Sequence, residues 1–77
     1  MMKRFNIEVR IHAPKGVEVA KVVTTTHQDA VELTLWQNGW SVLDVKFQGT
    51  ANRTVCFVAQ VQSRQGAMPM LVTTTVV

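Results

Sequence analysis

Three side chains in this sequence carry the chemistry of a base, a nucleophile or a soft metal ligand: His12, His27 and Cys56. A nucleophilic cysteine needs a base within hydrogen-bond reach, and no spacing here supplies one. A metal site needs ligands at characteristic intervals, and the intervals among these three match no such pattern. His12 falls at the end of a solvent-facing strand row that also holds Arg10. His27 falls in the first turn of a helix beside Asp29, where the positive end of the helix dipole accounts for the acid. Glycine-rich phosphate loops and paired acids at catalytic spacing do not occur. No set of nucleophile, base and orienting group emerges, so neither catalysis, nor a metal, nor a cofactor is expected.

Binding is the chemistry that remains. Eight Lys/Arg against five Asp/Glu give a net charge of +3, a mild excess that permits an acidic partner without demanding one. Lys3, Arg4, Arg10 and Lys15 gather on the first hairpin, and Lys46, Arg53 and Arg64 on the second. A sheet bearing such charges can hold single strands when bases stack on aromatics between them. The outward rows contain no Phe or Tyr, and Trp40 at the sheet rim is the sole platform. A small basic nucleic-acid-binding domain is therefore one expectation, resting on Lys3, Arg4, Arg10, Lys15, Lys46 and Arg53.

The other expectation rests on apolar residues, and it requires the elements that position them. Residues 26–38 read as a helix. Thr26 with Asp29 fits a capping box, with Thr25 and Gln28 an equally good register. Asn38-Gly39 supplies the stop. At 100° per residue Leu33, Ala30, Thr34, Val31 and Leu35 form one continuous arc. Trp36 falls among the polar residues opposite that arc, either lying over a sheet edge or standing free as an anchor for a partner, a use to which tryptophan is often put. Trp40 follows the terminal glycine, where an apolar side chain commonly packs back on the last turn, here against Leu35.

Residues 5–12 alternate cleanly, with Phe5, Ile7, Val9 and Ile11 on one side. A turn at Ala13-Pro14-Lys15-Gly16 leads to a second strand over 17–24 that is apolar on both sides. After the helix, residues 41–48 put Leu43, Val45 and Phe47 inward and Val42, Asp44 and Lys46 outward. A four-residue loop over 49–52 leads to a strand over 53–62, with Val55, Phe57, Ala59 and Val61 inward and Cys56 and Val58 outward. The chain closes with a β-prone segment containing Pro69, read as a short edge strand or one exchanged between copies (66–77).

The expected fold is thus α+β, one domain over 1–77 in the order β-β-α-β-β with a possible fifth strand. One helix covers one face of an antiparallel sheet of strand order 2-1-3-4. Its other face mixes charge with Val42, Cys56 and Val58, more apolar surface than solvent requires. At 77 residues a domain commonly leans on a disulfide, a metal or oligomerisation, and a lone cysteine leaves oligomerisation. The N-terminal residues 1–10 carry charge but no apolar core of a signal peptide, and no run approaches membrane-spanning length. A cytoplasmic setting is expected, without membrane contact.

Asn38-Gly39-Trp40, followed by a strand and hairpin, resembles the glycine–tryptophan segment of the small HicA-type toxin ribonucleases. That family carries Gly-Ser-His in the next strand. The corresponding stretch here is Phe47-Gln48-Gly49-Thr50, with no histidine, so no residue role is carried over. The element order also resembles several small phage- and plasmid-borne inhibitor proteins, a likeness of topology alone. The expected function is a non-catalytic protein-interaction module that forms a homodimer through its sheet and binds or inhibits a protein target. Its contact residues would be Trp36, Trp40, Val42, Cys56 and Val58.

Overall fold

The computed structural model describes residues 3–77; Met1 and Met2, which the 1–77 boundary and the reading of the N-terminal segment include, lie outside the described residues. The elements run β1 (Phe5–Ala13), β2 (Gly16–Thr24), α1 (His27–Gln37), β3 (Ser41–Ala51), β4 (Thr54–Ser63) and β5 (Gly66–Val76). The α+β class, the single helix and the antiparallel sheet are as the sequence implies.

The helix begins and ends on the signals in its sequence. Thr26 takes an extended conformation and its hydroxyl accepts from the Asp29 amide at 3.0 Å, the forward arm of a capping box. The return arm goes one residue further back, where Thr25 Oγ1 donates to Asp29 Oδ2 at 3.3 Å. At the other end Gly39 adopts φ +82°. Its amide donates to the Trp36 carbonyl, and the Trp40 amide to the Leu35 carbonyl, each at 3.0 Å. This pair of bonds is a Schellman motif, and it fixes Trp40 at the entry to β3.

The strand order is β2-β1-β5-β4-β3, and here the structure corrects the order 2-1-3-4. The last strand is not a short edge. It lies in the centre of the sheet, paired with β1 and β4 of its own chain. No residue of β5 is charged, which suits a strand with neighbours on both sides. Pro69 survives there because β1 reaches only as far as Leu71, so the missing amide costs no ladder bond on that side.

Every adjacent pair is antiparallel, so β2 and β3 run in the same direction at opposite edges. The helix must cross the whole sheet to join them. Its eleven residues span about 16 Å at the α-helical rise, close to the four interstrand steps of about 19 Å between the edges. Ile7, Val9 and Ile11 of β1, Phe57, Ala59 and Val61 of β4 and Met70 and Val72 of β5 are buried beneath Ala30, Val31 and Leu35 of the helix. Thr74 is buried among them, its hydroxyl 2.7 Å from His27 Nδ1. Leu33 sits at the margin of the helical face, half-buried.

Two further corrections concern β3. Its register shifts between Val42 and Asp44 and again between Phe47 and Gly49. Each shift inserts a residue that alternation alone does not reveal. The strand also continues to Ala51, so the expected loop over 49–52 shrinks to the two-residue turn Asn52-Arg53. Both turn residues have positive φ, 49° and 68°, as the tight hairpin turn matching sheet twist requires.

Candidate protein-interaction surface

The pairing registers sort the strand residues onto two faces, one under the helix and one open. On the open face the side chains form rows across the sheet. One row runs Val17, His12, Leu71, Val58, Lys46, and the next runs Val19, Arg10, Thr73, Cys56, Gly49. A third runs Lys21, Glu8, Thr75, Thr54, Ala51. The apolar ends of these rows collect on β2. Val17, Val19 and Val23 are each more than half exposed. Leu71 is exposed on the central strand, with Val58 and Cys56 half-buried beside it. Exposed apolar atoms normally scatter singly over a surface; three valines at alternate or near-alternate positions of one edge strand do not.

The sequence-derived contact residues separate on this framework. Cys56 and Val58 lie on the open face, as expected. Val42 does not: the first register shift of β3 turns it toward the helix, opposite Val61, where it packs against the core. Leu43 is displaced by the same bulge and is exposed in its place. Trp40 is half-buried and packs on the core, and it walls a cleft of about 290 Å³ with Ala13, Pro14, Lys15 and Glu18. Trp36 is 72% exposed. Of the two accounts of Trp36, burial over a sheet edge is therefore excluded, and the indole stands on the helix crest opposite Ala30, Val31 and Thr34.

Phe47 is a residue that alternation misplaces in a different way. It points to the helix side as expected, yet β3 is an edge strand and its ring remains 63% exposed, edge-on to Phe57 with centroids 6.2 Å apart. Leu71 and the β2 valines were legible as apolar residues, but only the central position of β5 shows that they share one face.

The six basic positions do not converge. Arg10 Nε donates to Glu8 Oε1 at 2.9 Å, which offsets its charge on the open face. Lys15 lies in the β1–β2 turn at one end of the sheet and Arg53 in the β3–β4 turn at the other. Lys3 and Arg4 precede β1, and Lys46 sits opposite Val58 near the far edge. No aromatic side chain stands between these charges on the open face.

The three residues with reactive chemistry are also apart. His12 and Cys56 share the open face but belong to strands separated by β5, so about 10 Å of sheet lies between them before any offset along the strands. His27 is on the opposite side, against Thr74. Among the described residues no group of three His, Cys, Asp or Glu is placed to hold a metal ion, and no helix is long and apolar enough to cross a membrane. No protein-family model matches this chain, no curated protein matches its sequence and no solved structure matches its fold.

Proposed function

We propose that this chain is a non-catalytic protein-interaction module that self-associates through its β-sheet and presents the crest of its helix to a protein target. One observation carries the first half: Val17, Val19 and Val23 leave more than half of their surface in water on a strand that, among the described residues, pairs on one side only. A strand of this composition in that position invites another strand. An isologous contact covers the same patch on both copies at once. Trp36 supports the second half. It is absent from the buried core, and tryptophan is enriched among the residues that dominate binding at protein interfaces.

The test is solution mass at micromolar concentration by sedimentation equilibrium, with Trp36→Ala measured alongside. The expected result is a species of twice 8.6 kDa. Trp36→Ala should keep that mass and change the unfolding free energy by no more than about 0.5 kcal/mol, as surface substitutions do. A strict monomer would overturn the self-association, and a large destabilisation by Trp36→Ala would return the indole to a structural role.

A further inference from the structure

The two edges of the sheet are built differently. β3 has two register shifts, and between them it carries Asp44 and Lys46. Bulges and charges are the devices by which an edge turns away another strand. β2 also carries an acid and a lysine, Glu18 and Lys21, but it has no register shift: all nine residues pair with β1 in one continuous ladder, and five of them are Val or Ala. The bulges are what set the two edges apart, and the edge without them is the one open to pairing.

We propose that β2 pairs antiparallel with β2 of a second copy about a two-fold axis through Ala20, joining two five-stranded sheets into one of ten strands. This rests on the reading that the chain self-associates through its sheet, and adds where it does so and in which register.

The register follows from geometry and charge. A two-fold axis relating antiparallel neighbours stands perpendicular to the sheet, so the open faces of both copies fall on the same side. Residues opposed across the new ladder must then come from the same face. Faces alternate along a strand, so every allowed register is centred on one residue rather than between two. Centring on Glu18 or on Lys21 sets like charges directly opposite each other, which destabilises the pair. Centring on Val19 leaves Val23 and Thr24 beyond the partner strand. Ala20 is the middle residue of Gly16–Thr24, so that centre pairs the full strand. Val17 then faces Val23 of the second copy twice over, and Val19 faces Lys21. The smallest β2 side chain other than glycine lies on the axis. The Pro14-Lys15 turn of the second copy arrives beyond Thr24, beside a shallow cleft of about 270 Å³ lined by Arg4, Val23, Thr24, Thr25, Asp29 and Leu33, where Asp29 is the acid and Arg4 the like charge nearest to the incoming lysine.

Opposite charges at position 19 separate this arrangement from a stack of open faces. Val19→Lys sets a second cation opposite Lys21 at two places in the dimer, and Val19→Glu sets a carboxylate there instead. Val19 is more than half exposed, so both variants should fold. By sedimentation, the dissociation constant should rise about tenfold for Val19→Lys, two unfavourable cross-strand pairs, and stay level or fall for Val19→Glu. Combining Val19→Lys with Lys21→Glu should restore the dimer. In a Cys56→Ser background, Ala20→Cys should give a disulfide-linked dimer on mild oxidation, because directly opposed residues lie within bridging distance. Val19→Cys and Lys21→Cys should cross-link poorly. Equal weakening by both charges at position 19, or a wild-type dimer that Ala20→Cys fails to link, would overturn the edge pairing while leaving self-association standing. A monomeric wild type would remove both.

Discussion

Removal of residues 66–77 should leave a chain with no cooperative unfolding transition. Among the described residues, β5 is the only strand joining the β1–β2 hairpin to β4 and β3. Without it the sheet divides into two hairpins, and an isolated two-stranded hairpin is at best marginally stable in water. The core would lose Met70, Val72 and the buried Thr74 together. Circular dichroism during a urea titration should show a gradual, non-sigmoidal loss of signal. A truncated chain that unfolds sharply would mean that β1 and β4 can close on each other and that β5 is dispensable.

Leu35→Ala should be the most damaging of the helix substitutions. Leu35 is fully buried at the point where the helix reaches the core, and truncating such a leucine typically costs about 2–5 kcal/mol. A domain of this length has a total stability of about 4–12 kcal/mol, so the midpoint in urea should fall sharply or the fold be lost. Leu33→Ala, at a half-buried site, should cost about half as much, since less apolar surface leaves water. Equal losses at the two positions, measured by equilibrium denaturation, would show that the helix is rotated from the described face.

The helix was legible because its signals are local. Thr26, Asp29, Asn38 and Gly39 act within a few residues of where they stand, and the arc of Ala30, Val31, Thr34 and Leu35 follows from period alone. β1 was legible for the same reason, alternating without interruption, and β4 as an apolar run bounded by turn residues. What the sequence hid depends on partners distant along the chain. The centrality of β5 is masked by a run of threonines, in which the buried Thr74 and the half-buried Thr73 and Thr75 are the same residue type. Pro69 argues for an edge, and the proline does sit on one, but only locally, past the end of β1. The faces of Val42 and Leu43 are set by a bulge against β4, for which no residue type in β3 is a marker. Trp36 is the opposite case. Its place on the polar side of the helix was plain from spacing, and its exposure needed only the knowledge that no strand or loop rises to cover it.

Cover of the β2 edge by a second copy should be visible in amide hydrogen exchange of β2 against β3. Both are edge strands of one chain, so in a monomer the outward-facing amides of each should exchange readily whatever the protein concentration. If a second copy pairs with β2, raising the concentration through the micromolar range should slow exchange at alternate residues of Gly16–Thr24, in step with the growth of the dimer, and leave Ser41–Ala51 unchanged. Exchange at β2 that ignores concentration while the mass doubles would contradict the claim, as would protection that appears on β3 instead.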